Sequence, residues 1–332
     1  PDDPLALGMV DGMKANGFKC FGPSALAARI ESSKVFSKNL MKKYGIPTAA
    51  YEVFSNAGEA ISYIEKNGKF PVVVKADGLA LGKGVIIAEN LADAKDAVKS
   101  IMEDKVFGAS GNNIVVEEFL TGPEVSVLSF ADGKTVVPMV SSMDHKRALD
   151  GDKGLNTGGM GTVAPNPYYT ADVADECMKT IFEPTIKAMA AEGCPFKGCL
   201  YFGLMLTPDG PKVIEYNSRF GDPETQVVLP LLETPLIDVI EAVADEKLDE
   251  IDVKFSDEAC ACVIMASGGY PGSYAKGIEI KGLDANGNVE GATVYHAGTK
   301  YVDDKFATNG GRVLGITAKG ADLKSALAGA YS

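Results

Sequence analysis

The sequence predicts a multidomain chain of mixed structure, α+β in parts and α/β in others, and three observations lead to that class. Two β-branched runs, 72–75 and 85–87, flank a loop holding Gly78, Gly82 and Gly84, and the pair sits between two amphipathic helical patterns. Further strand pairs around glycine turns follow, and a group of short strands with a last helix closes the chain. The 332 residues suffice for two or three domains, each with its own core.

Taken in order, residues 5–13 read as a helix and 19–21 as a strand ended by Gly22 and Pro23. One strand makes no sheet, so 1–27 is expected to be the remnant of an amino-terminal α/β domain whose other strands lie upstream. Ser32 and Ser33 open an amphipathic helix with Val35, Phe36, Leu40 and Met41, and Gly45 and Pro47 end it. Asn56, with Glu59 three residues on, has the form of a capping box ahead of Ile61 and Ile64. The glycine-loop hairpin and a helix bearing Leu91, Ala94, Val98, Ile101 and Met102 complete an α+β unit over about 48–112, inside a larger domain spanning 28–250. Beyond it, 114–116 is a strand running into Glu117, and 125–130 pairs with 135–140 around Asp132 and Gly133. Residues 144–166 read as a long polar loop. A helix over 172–192 carries Pro184 as its kink, 200–206 and 212–217 form a hairpin, and 231–243 is a helix. The acidic stretch 241–258 marks the passage to a small carboxyl-terminal α+β domain, 251–332, with strands at 263–265, 278–280, 293–295 and 313–316 and a helix over 321–331.

Composition removes several function classes. A formal net charge of −13 opposes non-specific nucleic-acid binding, which needs a basic surface. No apolar run approaches the ~18 residues of a membrane span. Six cysteines without a CxxC pair read as reduced core thiols of a cytoplasmic protein, and two histidines are too few for a His-based zinc site. An acidic protein that binds anions must gather its cations locally, so the placement of Lys and Arg carries the information.

The glycine-rich hairpin is the first such place. Its glycines free backbone N–H groups to turn toward a phosphate, and Lys75 and Lys83 add charge. It is no Walker loop, because only three residues separate Gly78 from Gly82 and a strand, not a helix, follows Gly84. An ordinary hairpin would share these features. The second place is the run from Glu215 to Glu224. Glu215 and Asn217 stand two apart on a strand and so share a face, and their oxygens are hard ligands suited to Mg²⁺. Arg219, two further on, can grip a phosphate or carboxylate in bidentate fashion, and Asp222 and Glu224 crowd behind it. Together these read as a site rather than an exposed polar edge. Asp144, His145, Lys146 and Arg147 precede a glycine-rich stretch able to present N–H groups to anions. His145 reads as structural rather than as a general base, and the two cations could also be solvated loop charges. Glu124 could meet a ribose hydroxyl or face water.

Four runs in order, KADGLALGKGV (75–85), DHKR (144–147), NTGGMG (156–161) and EYNSRFGDPETQ (215–226), resemble the phosphoribosylamine–glycine ligase family, also called glycinamide ribonucleotide synthetases, of the ATP-grasp superfamily. The likeness continues through GGYPG (268–272), HAGT (296–299) and TNGGR (308–312). It implies two α+β subdomains gripping ATP and a ligation of glycine to 5-phosphoribosylamine through a glycyl phosphate, in purine biosynthesis. It implies that Lys34 and Lys75 contact ATP phosphates, that Gly78, Gly82, Lys83 and Gly84 cap them, and that Glu117, Phe119 and Leu120 line the adenine. Glu124 would hold the ribose. Arg219, Lys146 and Arg147 are the implied catalytic cations, and Glu215 and Asn217 the ligands of Mg²⁺ or Mn²⁺. Asp144, His145, Asn156, Thr157, Gly158, Gly159, Met160, Asp222 and Glu224 would surround the two substrates. The expected protein is a cytoplasmic monomer without nucleic-acid or membrane partners. Two departures from the family pattern are expected: strand 201–206 offers no further metal carboxylate, and only the last helix and strand of the family's amino-terminal domain are expected within 1–23. The rivals are another ATP-grasp carboxylate–amine ligase and a fragment that binds ATP without turnover.

Overall fold

The computed structural model describes residues 2–80 and 84–332, and three antiparallel sheets organise it. The first has the order Tyr51–Phe54, Ile114–Glu118, Val72–Ala76, Val85–Ala88. Helices Ala57–Asn67 and Leu91–Met102 cover one face, where Ile64, Val74, Val98, Ile101 and Val116 form a core. The side chain of Asn56 accepts from Glu59 N–H and that of Asn90 from Ala92 and Asp93, contacts worth ~1 kcal/mol each. Alternation decides what the other face carries: with Val72, Val74 and Ala76 inward, Lys75 points away from the helices. Glu117 does the same on its strand, because Ile114 and Val116 face the core.

The second sheet runs Gly210–Asn217, Lys197–Thr207, Glu124–Asp132, Val136–Pro138. Helices Ala25–Ser32 and Lys34–Tyr44 pack on it, as does a helical run in three parts. That run is Ala171–Cys177, a π-helical turn at Met178–Phe182, then Glu183–Ala191. Pro184 has no N–H to donate and crowds the carbonyl four residues back, which accounts for the widened turn just before it. Phe182 and Phe202 fill the centre with ring centroids 4.5 Å apart.

The third sheet corrects the reading of 144–166 as a loop. Its order is Thr293–His296, Arg312–Gly320, Ala259–Ala266, Gly161–Ala164, Met143–Asp144, with helix Leu323–Tyr331 against it. Strands Arg147–Leu149 and Lys153–Asn156 form a hairpin between the two inner segments. Strand Gly161–Ala164 is buried throughout, and it starts on glycine because a Cβ at Gly161 would lie 2.7 Å from the Cys262 carbonyl oxygen. This sheet joins residues 143–164 to the carboxyl-terminal strands, so the pairing crosses the expected boundary at 250.

Other expectations also shift. The helix expected over 5–13 is broken at Gly8, whose φ is 85°, into Asp2–Ala6 and Met9–Ala15. Residues 19–21 pair with no sheet. The helix expected over 231–243 is Leu236–Ala244, since Pro235 precedes its first turn. Residues 278–280 make one isolated bridge, Glu279 to Ala307, while a hairpin of Thr299–Val302 and Lys305–Thr308 turns on Asp303 and Asp304, both left-handed.

Candidate active site

A cleft of about 1090 Å³ lies among the uncovered face of the first sheet, helices Ala25–Ser32 and Lys34–Tyr44, the end of strand Gly210–Asn217 and the segments 144–158 and 219–224. Its deepest part is a buried charge cluster. Glu117 Oε2 is 3.0 Å from Lys75 Nζ and 3.1 Å from Lys38 Nζ. Lys38 also donates to Thr48 Oγ1 at 2.7 Å, and Lys75 to the Ile214 carbonyl at 3.1 Å. Burial pushes the Lys38 ammonium down to about 8 against the pull of Glu117. Glu117 Oε1 is buried without a partner among the described residues. Lys38 stands four residues after Lys34 on one helix, so both meet the cleft.

Lys34 lies at the glycine loop. Its Nζ donates to the Gly78 carbonyl at 3.1 Å, and burial holds it below the usual lysine range. Asp77 ties the loop to the same helix, accepting from Ser33 Oγ at 3.0 Å and Val35 N–H at 3.1 Å. Gly78 is required by close approach, since a Cβ there would sit 2.3 Å from Ser110 Oγ. Gly84 packs against Ala80 and Ala76, while Gly82 and Lys83 lie outside the described residues.

Glu215 and Asn217 both line the cleft. Burial works against the Glu215 charge, yet Lys146, Lys75, Lys34 and Arg219 together hold its carboxyl below the usual range. Arg219 donates to Asn217 Oδ1 at 3.3 Å and lies 3.6 Å from Glu31, whose other oxygen accepts from Ser218 N–H at 2.8 Å. Burial pushes Glu31 up despite those partners. Across the strand pair, Gly203 faces Glu215 and Tyr201 faces Asn217. A divalent cation would therefore find one ionised carboxylate and one amide oxygen. Such a donor pair fits a hard ion that completes its shell with phosphate and water oxygens. No group of three His, Cys, Asp or Glu side chains with metal-binding geometry occurs among the described residues.

Around the third part of the cleft stand Asp144, Lys146, Tyr201 and Glu224. The buried Tyr201 hydroxyl lies 2.6 Å from Ser126 Oγ and donates to Glu224 Oε1 at 3.0 Å. Burial, and then the neighbouring Glu224, push Asp144 up to about 7, and its Oδ1 has no partner among the described residues. Glu224 is also pushed up, chiefly by burial. Lys146 pairs with Glu124 at 2.8 Å; burial opposes its charge, but Glu124 and Glu215 hold it above the ordinary range.

The glycine-rich stretch does not present free donors, and this corrects its reading as an anion cradle. Thr157 N–H donates to the Lys146 carbonyl, Gly158 N–H to Tyr270 OH, Gly159 N–H to Thr157 Oγ1 and Met160 N–H to the His145 carbonyl. Asn156, Thr157 and Gly158 line the cleft, whereas Gly159 packs on Asp144 and Pro223 and Met160 accepts from Ile264 N–H. Arg147 is turned to the hairpin beside it, donating to the Gly154 carbonyl at 2.8 Å, and His145 stays exposed near the Gly161 carbonyl. Neither lines the cleft, nor do Phe119, Leu120 and Glu124. Asp222 does, bound to Arg312 and Gln226. Sequence reasoning missed Lys38, Glu31, Tyr201, Tyr270 and Arg312, of which Lys38 alone had a local signal, its spacing from Lys34.

Two sequence profiles match the chain: "Phosphoribosylglycinamide synthetase, ATP-grasp (A) domain" over residues 32–225 and "Phosphoribosylglycinamide synthetase, C domain" over 260–332. The chain is 51% identical over 329 residues to the trifunctional purine biosynthetic protein adenosine-3 of Gallus gallus, covering 98% of this chain and 33% of that protein. It is 47% identical over 331 residues to the phosphoribosylamine–glycine ligase of Caldanaerobacter subterraneus, covering all of this chain and 78% of that one. The crystal structure of phosphoribosylamine–glycine ligase from Thermotoga maritima superposes with a TM-score of 0.85 at 35% identity, over 94% of this chain and 77% of the other. Biotin carboxylase of Campylobacter jejuni shares the fold, with a TM-score of 0.72 at 17% identity over 96% of this chain and 69% of that one. The chain thus spans a third of the trifunctional relative and about three quarters of the ligases.

Proposed function

The chain belongs to the phosphoribosylglycinamide synthetase family of ATP-grasp proteins, and from that membership we propose that its cleft joins glycine to 5-phosphoribosylamine using ATP. The observation that carries the reading is the meeting of Lys34, Lys75, Arg219 and Lys146 around the ionised Glu215. Phosphoryl transfer needs little covalent chemistry from a protein; it needs cations placed where charge develops.

In the first step a glycine carboxylate oxygen attacks the γ-phosphorus and the bond to the β-bridging oxygen breaks, giving glycyl phosphate and ADP. Lys34 and Lys75 hold the phosphates, with Gly78 and Gly84 close above them, and Arg219 offsets the charge of the group in flight. Glu117 sits where its unpartnered Oε1 can accept from the adenine amino group, with Lys38 and Lys75 fixing the carboxylate. In the second step the amine of phosphoribosylamine attacks the glycyl carbonyl carbon, and phosphate leaves with the electron pair of the C–O bond. The nitrogen must then lose a proton, and Asp144, raised to about 7 beside Glu224, is suited to take it. Lys146 steadies the anionic intermediate. Glu215 and Asn217 would hold Mg²⁺ or Mn²⁺, which supplies further neutralisation of the phosphate oxygens. The segment over 1–27, the grasp over 28–250 and the terminal unit over 251–332 share this work, in the cytoplasm, as a monomer without nucleic acid. Among the described residues no helix is long and apolar enough to cross a membrane.

ADP release from the full-length protein should require both glycine and phosphoribosylamine. Release with a different carboxylate in place of glycine would redirect the reading to another ligase. ATP binding without release in the presence of both substrates would refute catalysis.

A further inference from the structure

The carboxyl-terminal residues enter the cleft through Arg312 and the turn at Tyr270, which the chemistry above leaves unused. Arg312 opens strand Arg312–Gly320. Its Nη1 donates to the Gly158 carbonyl at 2.6 Å and to the Asp222 carbonyl at 2.9 Å, and its Nη2 to Asp222 Oδ2 at 3.1 Å. The Gly158 N–H donates to the Tyr270 hydroxyl at 3.1 Å. One residue, Gly158, is thus held on both sides, its carbonyl by Arg312 and its N–H by Tyr270. Asp222 is held likewise, since Gln226 donates to its other carboxylate oxygen at 2.8 Å.

Two glycines make the contact possible. A Cβ on Gly158 would come within 3.1 Å of Arg312 Cζ, and one on Gly311 within 2.2 Å of the Tyr270 ring. The Arg312 side chain is 20% exposed. Its planar fork reaches three acceptors at once, which a lysine ammonium on a single stem cannot match in geometry. Downstream of the clamp, Gly159 lies against Asp144 and Pro223, where a Cβ would be 2.5 Å from both. The loop held by Arg312 is therefore the wall on which Asp144 rests.

We infer that Arg312 is a positioning residue that fixes the 156–159 and 222–224 segments against each other, and so sets the affinity for the amine-bearing acceptor rather than for ATP. The inference rests on the ligation reading for the identity of that acceptor. Residues spaced 90 and 154 apart in the sequence meet at this clamp, so the carboxyl-terminal unit becomes part of the acceptor end of the cleft.

The test uses Arg312→Lys and Arg312→Gln in the full-length protein. The KM for phosphoribosylamine should rise on the order of tenfold or more in both, as expected for loss of charge-assisted bonds, with the KM for ATP within about twofold. Amide hydrogen exchange should quicken in 156–161 and 220–226 and stay unchanged in the helix-covered first sheet. Unchanged exchange in those segments would overturn the inference. So would parallel rises in both KM values with a lower melting temperature, the pattern of a merely structural residue. If the wild-type protein shows no phosphoribosylamine-dependent turnover, the ligation reading fails, while loss or retention of exchange protection still decides the clamp.

Discussion

Lys38 offers a test whose sign and size follow from its surroundings. Its side chain is 2% exposed, and burial brings its ammonium from 10.5 down to about 8 even with Glu117 3.1 Å away and Lys75 opposing. Between those two values the unfolded chain keeps a proton on Lys38 that the folded chain has released. The unfolded state then binds more protons, so stability rises with pH across that window. Below pH 8 both states are protonated and the penalty for burying the charge is fully present; above 10.5 both are neutral and it is gone. At about 1.4 kcal/mol per pH unit, the fall amounts to about 3 kcal/mol. Lys38→Met fills the same space without a charge, and comparison with it cancels the other groups that titrate in alkali. Denaturant midpoints from pH 7.5 to 10.5 should show wild type gaining about 3 kcal/mol relative to Lys38→Met. A difference that is flat, or that moves the other way, would mean that Lys38 stays charged through its pairing with Glu117, and the reasoning on burial would fail.

Four further outcomes follow from the site. Glu215→Ala should abolish turnover while circular dichroism and the melting transition stay near wild type, because the side chain serves ligands and not the core; near-normal rates would remove Glu215 from the site. Asp144 is raised to about 7, so kcat/KM for phosphoribosylamine should climb as pH passes from 6 to 8 and the carboxylate forms, and Asp144→Asn should erase that limb. By the same linkage the folded state holds the extra proton between about 4 and 7, so wild-type stability relative to Asp144→Asn should fall as pH rises through that range. Gly159→Ala places a Cβ 2.5 Å from Asp144 Oδ1 and Pro223 at a φ of 109°, and should lower stability by ~1–3 kcal/mol in thermal melts.

What could be read from sequence was local. The period of two put Glu215 and Asn217 on one face, and the cap and stop signals placed helix Lys34–Tyr44 within a residue, because both depend on neighbours in the chain. The fate of the Gly158 N–H was not legible, since its acceptor, the Tyr270 hydroxyl, stands 112 residues away. The strands Met143–Asp144 and Gly161–Ala164 were hidden for a related reason. They are two and four residues long, and their extended state is set by pairing with each other and, for Gly161–Ala164, with Ala259–Ala266, which no local propensity reports. Arg147 and Lys146 show how far adjacency misleads: neighbours in the sequence, one donates to a carbonyl of its own hairpin while the other pairs with Glu124 and lines the cleft.

The pairing of charges explains how a chain of net charge −13 can present a polyphosphate site. Lys38 and Lys75 share Glu117, Lys146 has Glu124, Arg312 has Asp222, and Arg219 lies near Glu31. Each carboxylate keeps its cation aimed at a fixed place, so less side-chain entropy remains to be lost when an anion arrives. Lys34 is the exception, with the Gly78 carbonyl as its partner and no carboxylate within 4 Å among the described residues. Burial already disfavours its charge, and an arriving phosphate would supply the counter-charge that the protein withholds. The cluster behind Glu117 is thus built to be rigid and Lys34 to be responsive, and the two lysines stand one helical turn apart.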